Sequence, residues 1–192
     1  MLRAGPGRWT GRGACRILTG AEVLADDGVM TASIRPYDNA DRAAMTEFYR
    51  AAWHATYDAI DGADAIDRVI AALLVGEPPE MFDLASTDVA LVAECDSELV
   101  GGLRGHPRDG VVHLSGMYVA AVSQRSGIGS ALLAEMLRRF PVDTVMQADV
   151  RPSSASALRF YERHRFIVVG AGSGNVGGGH TVEMITMQRQ SK

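Results

Sequence analysis

The residues best suited to chemistry are Gln124-Arg125-Ser126-Gly127-Ile128-Gly129, a polar turn inside the stretch Val112 to Phe140. An apolar strand precedes the turn and an amphipathic helix follows it. A strand that feeds a glycine-bearing turn into a helix leaves several backbone N–H groups unpaired, all in front of the positive end of the helix dipole. Such a place binds phosphate. Taken alone, the turn fits either a phosphate site or a tight strand-to-helix connection. It is neither Gly-x-Gly-x-x-Gly nor Gly-x-x-x-x-Gly-Lys-Ser, so the dinucleotide and P-loop readings fail residue by residue. A second glycine-rich run, Gly170 to Gly179, has no phosphate-motif lysine and reads as a flexible hairpin tip.

The elements that must position this turn are legible from periodicity. Thr31 to Pro36 reads as a short strand, and Asp38 to Asp41 supplies caps for a helix with Met45, Phe48, Ala52 and Trp53 on one face. Ile66, Val69, Ile70, Leu73 and Leu74 make a second helical stripe, which Gly76, Pro78 and Pro79 should end. Asp88 to Glu94, Leu99 to His106 and Val111 to Val119 then read as three strands with turn residues between them, hence an antiparallel meander. Leu132, Leu133, Met136, Leu137 and Phe140 line the helix after the turn, up to Pro141. The next strand, Thr144 to Val150, lies beyond that crossover helix, so it should run parallel to Val111 to Val119. A helix with Ala157, Leu158 and Tyr161 on one face, then strands Phe166 to Gly170 and Thr181 to Met187, complete the pattern. The fold class expected is mixed α/β, with a mostly antiparallel sheet, one parallel pair and flanking helices. Thr181 to Met187 is expected at a sheet edge, where it could pair in a homodimer.

Composition sets wider bounds. With 192 residues, 47% apolar and 22% charged, the chain is most simply one globular domain. A net charge of -4 gives no general reason to expect nucleic acid or an anionic membrane as partner. No apolar run approaches the roughly 18 residues of a membrane span. Cys15 and Cys95 match no metal or redox spacing; no metal site is expected, the pair suits a reducing, cytoplasmic setting, and Cys95 reads as a small buried side chain. Residues 1–29 carry Arg3, Arg8, Arg12 and Arg16 with no acid before Glu22. They read as an extension: a disordered tail, a poor transit peptide, or sequence ahead of a start at Met30, with the domain at 30–189.

A second block gives the turn its context. Val150-Arg151-Pro152-Ser153-Ser154, then Ala157-Leu158-Arg159-Phe160-Tyr161-Glu162 and Phe166, resembles the segment Asn-x-x-Ala-x-x-Phe-Tyr-Glu-x-x-Gly-Phe of the GNAT superfamily of N-acetyltransferases. The turn is similar to that family's coenzyme A motif, Gln/Arg-x-x-Gly-x-Gly/Ala, and the two blocks stand in register, so the resemblance covers about Thr31 to Gln188. It implies that Val111 to Val119 splays from its parallel neighbour and that acetyl-CoA, as co-substrate, fills the gap. Backbone groups of Met117, Tyr118 and Val119 would pair with the pantetheine. Amides from Gln124, Arg125, Ser126, Gly127, Ile128, Gly129 and Ser130 would hold the pyrophosphate. Two departures stand out: Ser154 takes the asparagine position that bonds the pantetheine, and Arg165 replaces a glycine before Phe166.

The implied activity is acetyl transfer to a primary amine, a small cationic molecule or a peptide, by direct transfer in a ternary complex. A non-catalytic acyl-CoA sensor with the same fold is the alternative. The amine must lose a proton and the departing thiolate must gain one. Tyr161 stands where the family often places its acid, though it also fits a helix core. His113 stands four residues before Met117, where some branches carry a catalytic glutamate. An imidazole suits a base near neutrality, and a lone strand histidine suits a structural role equally. Glu94 is the reserve candidate. Asp58, Asp61, Asp64, Asp67, Glu77, Glu80, Asp83 and Asp88 stand against a single Arg68 between Trp53 and Asp88. That imbalance fits a cationic acceptor or simply a solvated face, with Trp53 and Tyr57 as possible pocket walls.

Overall fold

The computed structural model of the chain describes residues 15, 17, 31–75 and 80–189. The expected helix stop at Gly76, Pro78 and Pro79, and nearly all of the 1–29 extension with Met30, lie outside the described residues. Strands are β1 (Ala32–Pro36), β2 (Val89–Cys95), β3 (Glu98–Arg108), β4 (Val111–Val119), β5 (Val145–Val150), β6 (Ile167–Asn175) and β7 (Thr181–Arg189). Helices are α1 (Arg42–Asp61), α2 (Ala63–Ile70), α3 (Ile128–Arg138) and α4 (Ala155–Arg163), with a π-helical turn at Ala71–Val75. The seven strands form one sheet in the order β1-β2-β3-β4-β5-β7-β6, antiparallel except for β4 and β5. The expected mixed sheet with a parallel pair is therefore present.

Each sheet face buries its own cluster, as period-2 side-chain alternation requires. On one face Leu91, Val100, Leu103, Val112, Leu114 and Met146 pack under α3 and α4, against Leu132, Leu133, Met136, Tyr161 and Phe166. On the other, Val92 meets Met45, Tyr49 and Trp53 of α1 and Ile66, Val69 and Ile70 of α2. Helix α1 is introduced by a capping box: the Asp38 carboxylate accepts from the Ala40 amide, and Asp41 accepts from the Asp38 amide at 2.8 Å. Asp41 also anchors Arg35, whose guanidinium bridges to Glu94 at 2.5 Å.

Three expectations are corrected, and one departure from the family motif is accommodated. The run Gly170 to Gly179 is mostly strand: Gly170, Gly172 and Gly174 pair with Thr186, Met184 and Val182, leaving a short turn closed by Val176 N–H to His180 C=O at 2.8 Å. The β-branched partner strand supplies the sheet-forming tendency the glycines lack. Strand β7 is interior, between β5 and β6, so it cannot pair with a second subunit; β6 is the edge at that end of the sheet and β1 at the other. The hairpin folds back, so its second strand inserts beside β5 and its first is left outside. Third, Cys15 and Cys95 form a disulfide with Cα atoms 6.4 Å apart, and Cys15 is fully buried under α3. Their separation of 80 residues hid a pairing made only by the fold, and it removes the support the cysteines lent to a reducing compartment. Finally, Arg165 leaves the last turn intact. It adopts φ 66°, its amide bonds Glu162 C=O and the Phe166 amide bonds Tyr161 C=O, while Phe166 packs on Tyr161 with ring centroids 5.0 Å apart. That is a complete Schellman closure built with an arginine where glycine is easier.

Candidate functional site

A cleft opens where the parallel pair stops. The β4–β5 ladder runs from Val111↔Val145 to Leu114↔Ala148 and ends there. Beyond it β4 keeps only its β3 partner, as in Gly102↔Tyr118 and Gly101↔Val119, while Asp149 and Val150 of β5 pair with β7. Residues Ser115 to Val119 thus present an unpaired strand edge to the gap, which suits an extended chain carrying amide groups. A bulge marks the parting. Gly116 has φ 61°, and its carbonyl accepts the Tyr49 hydroxyl at 2.8 Å. A Cβ on Gly116 would lie 3.0 Å from that same oxygen, so glycine is needed for both the angle and the space.

The polar turn stands at the mouth of this gap. Gln124 reaches back to Val119 C=O at 3.2 Å, and the Ser126 hydroxyl closes onto Ser123 C=O. Arg125 (φ 63°) and Gly127 (φ 87°) are left-handed, and Gly127 is the residue from which α3 starts. No side chain caps α3. The first-turn amides after Gly127, on Ile128, Gly129 and Ser130, therefore keep the donor capacity and positive dipole end that pyrophosphate needs. The Ser130 hydroxyl pairs with His164 Nε2 at 3.0 Å, and from behind the turn the Ile17 amide donates to Ser126 C=O at 3.3 Å. Ser154 opens α4 and makes no side-chain cap bond.

The two catalytic candidates take different surroundings. Tyr161 is only 6% exposed, and its hydroxyl lies 3.5 Å from Met117 Sδ, on the α4 side of the cleft. Burial, with a smaller effect of Tyr57, raises the phenol pKa well above the ordinary tyrosine value and keeps its proton in place. His113 is partly exposed on the opposite sheet face, its Nδ1 3.4 Å from the Gln147 amide nitrogen, and Gln188 Nε2 donates to the Gln147 amide oxygen. Glu94 is bound to Arg35 at the β1–β2 end of the sheet.

Among the residues gathered here, Tyr49 and His180 carried no sequence signal. Tyr118 Oη is 3.1 Å from Tyr57 Oη, and Tyr49, Trp53 and Tyr57 surround the Tyr118 ring edge-on. Arg151, 9% exposed, pairs with Asp61 at 2.5 Å and lies 4.5 Å over the Tyr57 ring. His180 approaches the same carboxylate at 3.6 Å, so the β6–β7 turn and the end of α1 meet beside Arg151, just past β5. The acidic segment is less bare than its composition implied. His54 holds Asp58 and Asp67, and Asp88 pairs with Arg104. Only alternation along the strands could have placed Arg104 and His106 on one face.

Comparison with known proteins accords with this geometry. A sequence model described as the acetyltransferase (GNAT) family matches residues 41–166. No curated protein matches the chain. Among solved structures, PaiA N-acetyltransferase from Thermoplasma acidophilum in complex with coenzyme A is similar, with 21% identity and TM-score 0.65 over 84% of this chain and 99% of that one. A ribosomal-protein-alanine N-acetyltransferase from Brucella melitensis has 22% identity and TM-score 0.58, over 82% of this chain and 99% of that one. NAA60 of Arabidopsis thaliana in complex with a bisubstrate analogue has 16% identity and TM-score 0.58, over 83% and 98%. At these identities the structures speak for the fold.

Proposed function

The chain belongs to the acetyltransferase (GNAT) family and is an acetyl-CoA-dependent acetyltransferase, and from that premise we propose that it acetylates a primary amine by direct transfer in a ternary complex. The observation that carries this reading is the parting of β4 from β5 after Leu114↔Ala148, with the uncapped start of α3 at its mouth. Acetyl-CoA supplies the activated acetyl group. Met117, Tyr118 and Val119 offer strand-edge groups to the pantetheine, and Ser154 offers its hydroxyl. Arg125 to Ser130 offer amides to the pyrophosphate, the Gln124 amide being held by Ala121 C=O. Tyr161, buried and protonated, is the acid for the thiolate, and His113 is a base toward the amine. The Met117–Val119 backbone supplies the donor for charge developing on the acetyl oxygen.

The acceptor approaches between the end of α1 and the β6–β7 turn, past Tyr57, Asp61, Arg151 and His180. The acceptor in this reading is a small amine or a peptide amino terminus. Residues 30–189 form the catalytic domain in this reading. The setting is cytoplasmic because the co-substrate is a highly charged molecule that does not cross a membrane unaided. No helix among the described residues is long and apolar enough to span one. A homodimer would use β6, an edge strand where Ile167, Val168 and Val169 are exposed; light scattering tests for it.

Thiol release from acetyl-CoA across a panel of amines and short peptides is the direct test. Intersecting initial-velocity lines are expected, since both substrates bind before transfer. Parallel lines would replace direct transfer with an acetyl-enzyme. Tight acetyl-CoA binding with no release on any amine would end the amine reading.

A further inference from the structure

A second chain of polar groups meets the vertex of the cleft from the sheet face opposite α3. His106 Nδ1 lies 3.1 Å from Asp88 Oδ2, and His106 Nε2 lies 2.9 Å from Ser115 Oγ. Asp88 is itself held by Arg104 at 3.2 Å and by the Ala85 amide at 3.2 Å. Both acid and imidazole are largely enclosed, with side chains 8% and 15% exposed. The order of partners selects a tautomer. A carboxylate can only accept, so Nδ1 carries the hydrogen and Nε2 is left to accept from the Ser115 hydroxyl. Ser115 is the first β4 residue past the last pair with β5, so its hydroxyl sits at the vertex.

The chemistry of amine acylation needs such a group. An acceptor that arrives as ammonium must shed two protons from nitrogen: one before it can attack, and one as the N–C bond forms and the C–S bond breaks. The departing thiolate takes up one proton, from Tyr161 in the reading above, and the balance is one proton released to solvent. His113 can hold only one of the two.

We propose that Ser115 and His106, oriented by Asp88, form a proton relay that takes the second proton. As the N–C bond forms, a nitrogen proton passes to Ser115 Oγ while the Ser115 hydroxyl proton passes to His106 Nε2. Serine ends neutral, as it began, and His106 ends as an imidazolium facing Asp88. Asp88 is a positioning residue: it fixes the ring and balances the charge, without touching substrate. The inference rests on the acetyl-transfer reading and gives that reaction its missing proton acceptor.

The surroundings hold the relay ready. Facing His106 are Asp88 ahead of β2, Arg104 and Arg108 on its own strand, and Ser115 and its register partner His113 on β4. Burial, then the Arg104 charge, lowers the His106 pKa below the ordinary histidine value against the opposing pull of Asp88. Burial also disfavours the Asp88 anion, but Arg104, His106 and the Ala85 amide outweigh it and hold that carboxyl below its usual value. At neutral pH the pair is thus a neutral imidazole beside a carboxylate, able to accept a proton.

The test is steady-state kinetics on Ser115→Ala, Ser115→Thr, His106→Gln and the double variant Ser115→Ala/His106→Gln, with an amine that the wild type acetylates. Ser115→Ala and His106→Gln should each lower kcat about 100-fold with the acetyl-CoA KM unchanged. Ser115→Thr should recover most of the rate, and the double variant should be no slower than the worse single one, because both lie on one path. The acid limb of the wild-type kcat profile should steepen at low pH, and that steepening should vanish in His106→Gln. Wild-type rates in Ser115→Ala or His106→Gln would overturn the relay while leaving acetyl transfer standing. A wild type inactive on every amine would overturn both. Nitrogen NMR provides a readout independent of turnover: His106 should be neutral and Nδ1-protonated at pH about 7, and an Nε2-protonated ring would refute the proposal.

Discussion

Replacing Tyr161 by phenylalanine removes one oxygen and nothing else, so its effect on chemistry separates cleanly from its effect on packing. The ring stays in a site only 6% exposed, against Phe160 and Phe166. The lost hydroxyl touches Met117 Sδ at 3.5 Å, and a thioether is a weak acceptor. Deleting that contact should cost no more than about 1 kcal/mol of stability, which is about 2–4 °C in Tm for a chain of this size. If the hydroxyl is the acid for the thiolate, kcat should fall about 100- to 10,000-fold, with the acetyl-CoA KM within about twofold of wild type. Thiol release at saturating acetyl-CoA gives kcat, and a thermal melt of the same sample gives the stability term. An unchanged kcat, or a matched loss of kcat and coenzyme affinity, would refute the assignment and make the hydroxyl structural. The pH dependence has a fixed sign. Burial raises the pKa of Tyr161, and likewise of Tyr49 and Tyr118, so their neutral forms are favoured in the fold. Their contribution to stability is complete below about pH 10, where an unfolded tyrosine still holds its proton, and is lost as pH rises above it. The kcat profile should show no fall from Tyr161 ionisation below about pH 10.

Three further outcomes are expected. At the pyrophosphate turn, Gly127→Ala places a side chain at φ 87° and should cost about 1–2 kcal/mol and weaken acetyl-CoA binding in calorimetry, whereas Gly129→Ala should be tolerated, its Cβ meeting Phe160 at an ordinary 3.4 Å. Arg165→Gly should raise stability by about 1 kcal/mol, read as a higher Tm, because glycine accepts φ 66° without a Cβ penalty. Peptide mapping without reductant should recover Cys15 linked to Cys95, and Cys15→Ser should lower stability by up to about 4 kcal/mol through the released 80-residue loop. Because the Ile17 amide supports Ser126 C=O, that variant should also raise the acetyl-CoA KM; recovery of both cysteines as free thiols would remove the premise.

Much of the architecture was decided locally. The capping residues Asp38 and Asp41, the helical stripe through Ile66 and Leu74, the meander of β2 to β4 and the crossover through α3 all follow from spacing and turn chemistry that act within a few residues. So does the uncapped turn at Gly127, since a strand, a glycine and a helix start are contiguous in the chain. The two blocks around Gly127 and Tyr161 placed the family resemblance for the same reason. What the sequence alone could not decide depended on residues brought together from far apart. The cysteine pair spans 80 residues, the Arg151–Asp61 bridge joins α1 to the loop before α4, and Asp88, His106 and Ser115 converge from three segments. Whether the glycines of 170–175 form a strand depended on β7 returning beside them, and whether β7 is an edge depended on β5 and β6 both pairing with it. Local pattern sets which elements form; register and side-chain convergence are set by the sheet as a whole, because a hydrogen-bond partner is chosen by proximity in space.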